Sequence, residues 1–183
     1  PGSVGRSMMT PLHILDEDGN ELPAGEAGEI YFEGGFDFEY LNDSAKTASS
    51  RDSHGWKTVG DIGYLDEDGY LYLTDRRHHM IISGGVNIYP QEAENMLVTH
   101  PRVLDAAVFG APDDEVGQSV QGVVQLVDPA EAGDEFGEEL LTWLRERLAH
   151  YKCPRSLSFE EQLPRTDTGK LYKQTLIAKY SSP

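Results

Sequence analysis

The apolar pattern of the chain changes character near residue 75, and that change limits the folds open to it. Before it, short apolar stretches alternate with turn clusters. Leu12-His13-Ile14-Leu15 runs into Asp16-Glu17-Asp18-Gly19 and then Asn20. An Asp-Gly pair between apolar runs signals a hairpin, because tight hairpin turns need residues that tolerate positive φ. Gly28-Glu29-Ile30-Tyr31-Phe32 predicts a further strand, with Ile30 and Phe32 on one face. The turn device returns at Asp66–Gly69, followed by Leu71 and Leu73 alternating with Tyr70, Tyr72 and Thr74. The shared LDEDG reads as convergent turn chemistry, since the flanks differ. It is not a calcium loop, because Glu21 stands where the sixth loop position requires glycine.

After residue 75 the periods mix. Met80-Ile81-Ile82-Ser83 predicts a short strand, and Gly84-Gly85 a turn. Pro90 suits a first helical turn, and the segment after it reads as helix until Pro101. AAVFG (106–110) and VQGVVQLV (120–127) read as strands. Phe136, Leu140, Leu141, Leu144 and Leu148 recur at three- and four-residue spacing, which predicts an amphipathic helix over 135–150. SLSF (156–159) is a short strand, and 170–180 a final helix. The expected class is α+β: a small β subdomain at 1–74, a hinge at 75–80, and a compact α+β domain at 81–183.

Charge and composition exclude several functions. The net charge of −17 disfavours non-specific binding to nucleic acid or to anionic membrane surfaces. The single cysteine, Cys153, excludes an intrachain disulfide and a cysteine-cluster zinc site. No apolar run approaches the ~20 residues of a membrane span. The first residues, PGSVGRSM, lack a signal-peptide apolar region and an initiator Met, so the expectation is a cytoplasmic protein and a fragment or processed chain. Residues 1–74 hold 15 acids against 4 bases, whereas 145–179 hold 8 bases against 4 acids. That basic segment reads either as a dock for a small anion or as ordinary helix surface charge.

Three segments could carry chemistry. In Gly55-Trp56-Lys57-Thr58-Val59-Gly60-Asp61, a carboxylate after a glycine can accept two hydroxyls, as on a ribose, or can cap its own turn. In Asp75-Arg76-Arg77-His78-His79-Met80-Ile81-Ile82-Ser83-Gly84-Gly85, adjacent histidines point in different directions and serve one metal poorly, so no metal site is expected. The glycine pair fits a tight turn or a close approach of backbone to ligand. In Leu163-Pro164-Arg165-Thr166-Asp167-Thr168-Gly169-Lys170, a lysine in a polar loop can reach a phosphate or carboxylate, or simply face water. The loop is not a Walker motif, since no glycine stands five residues before Gly169 and Leu171 follows the lysine.

Taken together, GWKTVGD, DGYLYLTDR, IISGGVNIYPQEAE and LPRTDTGK, in this order and spacing, resemble the adenylate-forming superfamily. That family contains acyl-CoA synthetases, the adenylation domains of nonribosomal peptide synthetases, and firefly luciferase. The resemblance covers nearly the whole chain, and IISGGVNIYPQEAE looks like the acyl-CoA synthetase branch. Family members are several hundred residues long. The resemblance therefore implies the C-terminal third of such an enzyme, with the phosphate loop, the adenine loop, the magnesium-binding glutamate and most of the acyl pocket lying elsewhere.

The resemblance implies a two-step ligase for a small-molecule carboxylic acid, fatty or related and apolar. It implies ATP with Mg2+ in the first step and coenzyme A as co-substrate in the second. By motif position Asp61 would hold the ribose hydroxyls, Arg76 the ribose or phosphate, and Lys170 the substrate carboxylate and α-phosphate. His78 falls at the hinge, normally Asp or Lys. Gly84, flanked by Ser83 and Gly85, would line the pantetheine passage. Val59 departs from the family's usual Thr and Asp75 from a frequent Gly. Two other readings stand beside this one: an amino-acid adenylation domain that loads a carrier protein, and a non-catalytic binding module. The 183 residues alone are expected to be inactive, and exposed strand edges in 1–74 leave a homodimer open.

Overall fold

Asp16 and Asp66 organise two turns of identical design in the computed structural model, which describes residues 2–35, 37–167 and 169–180 and leaves the His78 side chain undescribed. Asp16 Oδ1 accepts from the amides of Asp18 (2.9 Å) and Asn20 (2.8 Å), and Asp66 Oδ1 from those of Asp68 (3.0 Å) and Tyr70 (2.8 Å). A carboxylate folded back on amides two and four residues ahead closes the chain on itself. The turns follow β1 (Leu12–Leu15) and β3 (Asp61–Leu65). With β2 (Gly28–Phe32) and β4 (Leu71–Arg76) these strands form an antiparallel sheet in the order β1-β2-β3-β4.

The chain divides into two compact units, Pro1–His78 and His79–Pro183. In the first, Ile14, Ile30 and Leu71 form the core, with Leu12, Leu22, Phe32 and Leu65 against it. Gly28 and Gly63 face each other across β2 and β3. A Cβ on either would come within 2.4 Å of a backbone carbonyl oxygen, so side chains are excluded there. Leu73 departs from the expected buried alternation and is 51% exposed, because its partner across the ladder is Gly63, beside a register shift, and offers no side chain to cover it. A short helix, α1 (Ser44–Ser49), also interrupts the expected all-β unit. Asp43 caps it by accepting the Lys46 amide at 2.9 Å.

The second unit begins with a hairpin of β5 (Ile81–Ser83) and β6 (Val86–Ile88). Then come α2 (Pro90–Leu97), β7 (Val103–Asp113), β8 (Gly117–Leu126), α3 (Asp134–Arg145), β9 (Ser156–Phe159) and α4 (Lys173–Tyr180). The sheet runs β6-β5-β8-β7, with β9 parallel to β8. The near-continuous apolar run of β7 has a simple cause: both faces are covered. Ala106 and Val108 face a core shared with α2 and α3, whereas Ala107 and Phe109 face Leu163 and Leu176 on the side of α4. Burial of Leu176 contributes about 1.5–3 kcal/mol to the seating of α4. The expected helix to residue 150 stops at Arg145, after which the amides of Arg147 and Leu148 both return to the Leu144 carbonyl at 3.0 Å. Residues 170–172, expected to be helical, instead form one arm of a hairpin, with Leu171 bridged to Arg165. Among the described residues no helix is long and apolar enough to cross a membrane.

Candidate functional site

Asp61 opens β3 and Arg76 closes β4, and the two are direct partners in the ladder. Arg76 Nε lies 2.8 Å from Asp61 Oδ1. The Asp61 side chain stays 24% exposed, and its second oxygen has no partner among the described residues. The carboxylate is therefore held on one side and free to accept on the other.

The turn before Asp61 is fixed from several directions. Gly60 has φ +79°, its amide donates to Thr58 Oγ1 at 3.0 Å, and its carbonyl accepts the Arg77 amide at 2.9 Å. Thr58 donates to Glu29 Oε1 (3.0 Å), and Arg77 Nη1 reaches Glu29 Oε2 (2.7 Å). The Thr58 hydroxyl is thus engaged within the turn. A cleft of about 620 Å³ opens beside this network, lined by Glu29, Tyr40, Lys46, Val59, Gly60 and Arg76 among others. Sequence reading missed Arg77 and Glu29, which lie 48 residues apart. Only the adjacent arginines of the motif pointed that way.

In the second unit, Ser83 pairs with Val86, leaving Gly84 and Gly85 as a two-residue hairpin loop at φ +58° and +79°. Both values lie in the region that favours glycine. The Gly84 amide donates to the Val116 carbonyl at 2.8 Å, and a Cβ on Gly84 would sit 3.9 Å from Val116 Cγ1. Space for a methyl group exists in this conformation, so backbone geometry is what selects glycine here. His78 ends the first unit within a 3-10 turn, Arg77–His79, and its side chain lies outside the described residues.

Lys170 stands on a separate hairpin of the second unit. The Gly169 amide donates to the Thr166 carbonyl (2.7 Å), the Lys170 amide to Thr166 Oγ1 (3.1 Å), and the Thr166 amide to the Lys170 carbonyl (2.9 Å). Thr168 lies outside the described residues. At the hairpin base the Tyr172 amide donates to the Pro164 carbonyl at 2.8 Å. Lys170 is exposed, and its ammonium has no ion pair among the described residues.

That freedom is unusual within its segment. Arg147, Lys152, Arg155, Arg165, Lys173 and Lys179 are all paired with carboxylates. The basic stretch is therefore mostly neutralised locally, which favours the reading as surface and core charge pairs over a broad anion dock. Cys153 is buried, and burial pushes its thiol pKa up, so it is a poor nucleophile. Among the described residues no group of three His, Cys, Asp or Glu side chains could hold a metal ion.

Residues 92–170 match the AMP-binding enzyme C-terminal domain. A feruloyl-CoA synthase from Amycolatopsis is 40% identical over 173 residues, which is 94% of this chain and 35% of that protein. The ATP-bound MatB structure from Rhodopseudomonas palustris superimposes with a TM-score of 0.83 at 32% identity, over 99% of this chain and 36% of its own. The o-succinylbenzoate CoA synthetase of Bacillus subtilis, solved with its acyl-adenylate intermediate, gives a TM-score of 0.79 at 37% identity, over 96% and 35%. The chain spans about a third of the length of the curated relatives it matches. With this mixed fold, this ordered set of motifs and these likenesses, the chain belongs to the adenylate-forming, AMP-binding enzymes and carries their C-terminal domain.

Proposed function

We propose that these residues serve an ATP-dependent ligase that joins an apolar carboxylic acid to coenzyme A. The curated relatives, feruloyl-CoA synthase and 2-succinylbenzoate–CoA ligase, favour an aryl member of that class, while a fatty acyl CoA synthetase of 37% identity keeps a fatty chain as the second choice. In the first half-reaction a carboxylate oxygen of the acid attacks the α-phosphorus of ATP, the bond to pyrophosphate breaks, and pyrophosphate leaves. In the second the thiol sulfur attacks the acyl carbon, AMP leaves, and the thiol proton passes to solvent.

Asp61 accepts the two ribose hydroxyls with the carboxylate edge that Arg76 leaves open. Arg76 holds that carboxylate in place and borders the cleft beside it. Lys170 supplies the positive charge between the entering carboxylate and the α-phosphate, where negative charge gathers during in-line displacement. The Gly84-Gly85 loop, next to Ser83, lines the thiol's approach in the second half-reaction, and the division after His78 supports that residue as the hinge. The observation carrying this reading is the Lys170 ammonium, without an ion pair among the described residues, at the tip of a hydrogen-bonded hairpin in a segment whose other cations are mostly neutralised.

ATP–pyrophosphate exchange tests it. The 183-residue chain alone should give none, because groups that hold the triphosphate and adenine are not among its motifs, whereas the longer ligase containing it should exchange with an apolar acid present. Exchange by the purified chain alone, or none by the longer protein with any apolar acid, overturns the reading.

A further inference from the structure

Leu163 and Leu171 seat the base of the Lys170 hairpin on the central sheet, and Arg165 ties its tip there. Arg165 Nε and Nη2 donate to Asp105 Oδ2 and Oδ1, both at 2.7 Å, and Nη1 donates to the Gly169 carbonyl at 2.6 Å. Asp105 belongs to β7, next to the fully packed Ala106 and Ala107. Gly169 immediately precedes Lys170. A planar guanidinium has donors enough to grip both carboxylate oxygens and a carbonyl at once. The grip spans 60 residues of sequence and joins an exposed turn to a buried strand.

Resting on the ligase reading above, we propose that Arg165, held by Asp105, is the positioning residue for Lys170: it fixes the hairpin tip from which the lysine acts, and so governs adenylation without touching substrate. Leu163 and Leu171 anchor the base of the hairpin against Ala107, Phe109 and Leu176, but Thr166, Asp167, Gly169 and Lys170 at its tip are exposed, so apolar packing does not set the tip's direction. The Arg165 bridge refers the tip to β7 instead. A shift of about 1 Å in a reacting group costs on the order of 100-fold in rate. Lysine cannot take over this task. A single ammonium on a flexible stem can pair with Asp105, but it lacks the fork that also reaches the Gly169 carbonyl.

The experiment uses the full-length ligase and three variants, Arg165→Ala, Arg165→Lys and Lys170→Ala. Adenylation kcat and KM, thioester formation from supplied acyl-adenylate, and the melting temperature are measured for each. Both Arg165 variants should lower adenylation kcat by about 10- to 100-fold, with KM for ATP changed less than about twofold and the thioester step intact. Arg165→Lys keeps the charge pair and so folds even if Arg165→Ala does not. Wild-type adenylation in Arg165→Lys, or equal losses in both half-reactions, overturns the proposal. Loss of adenylation in Lys170→Ala with none in the Arg165 variants sinks this inference alone. Unchanged adenylation in Lys170→Ala sinks the ligase reading and this inference with it.

Discussion

Glu94 Oε1 lies 2.7 Å from Lys173 Nζ, and both side chains are almost wholly buried, at 6% and 7% exposure. The same oxygen accepts the Val108 amide at 2.7 Å, so one carboxylate on α2 ties together β7 and α4. The lysine's contact with it is a charge pair without a well-aligned hydrogen bond. Coulomb attraction in a poorly hydrated site holds it, and each partner would be costly to leave alone.

A first prediction follows from that asymmetry. Lys173→Met or Glu94→Gln alone should each lower stability by about 3–5 kcal/mol, since each strands or weakens a buried partner. Replacing both with apolar residues of similar volume should recover most of the Lys173→Met loss, although the Val108 amide would still lack its acceptor. Chemical denaturation of the three variants measures this. A single-variant loss below about 1 kcal/mol, the range of exposed pairs, contradicts a buried linchpin.

The histidines should titrate in opposite directions. Burial alone would lower the His13 pKa, but hydrogen bonds and charge from Glu21 and Glu33 outweigh it and raise it above 6.5. His13 also stacks on Trp56, with ring centroids 3.6 Å apart, and His54 stacks on the same indole at 4.6 Å. A raised pKa means this contribution to stability is fully present below 6.5 and is lost as pH climbs through the folded value. His100 is the reverse case. Burial first, then the Arg102 charge, lower its pKa, so its contribution is present above 6.5 and lost as pH falls through the folded value. NMR titration of the imidazole carbons should place His13 above 6.5 and His100 below it. Coincident midpoints would contradict both environments.

At Gly84, alanine and leucine separate geometry from obstruction. Either substitution must adopt φ near +58°, at a shared cost of about 1–2 kcal/mol. Only leucine adds bulk beyond the Cβ, toward the space bordered by Val116. In the full-length ligase, Gly84→Leu should lower thioester formation at least about tenfold more than Gly84→Ala, while both keep adenylation. Equal thioester rates in the two variants would mean that the loop does not line the thiol's route.

The legible parts of this fold are those where period and chemistry agree locally. The Asp16 and Asp66 turns, the β7–β8 pair and the apolar face of α3 are written in neighbouring residues. Helix α1 was not legible, because Ser44–Ser49 buries no residue and depends on the Asp43 cap. Residues 170–172 looked helical from their own composition, but Leu171 packs beside the cluster around Phe109 and Leu176 and holds the chain in a hairpin. The same distinction divides the site. Asp61 and Lys170 stand out by motif, whereas the Arg165–Asp105 and Lys173–Glu94 pairs join distant segments through the folded sheet. No local spacing announces such pairs.

The central claim is that Lys170 acts in one half-reaction and not in the other. The direct measurement compares Lys170→Ala with wild type in the full-length ligase, timing acyl-adenylate formation from acid and ATP and, separately, thioester formation from supplied acyl-adenylate and coenzyme A. Removing a preorganised cation from a charge-developing transition state costs about 100- to 1000-fold. Adenylation should fall by at least that much, while the thioester step stays within about twofold of wild type. Equal losses in the two half-reactions, or adenylation that survives the substitution, would contradict the account.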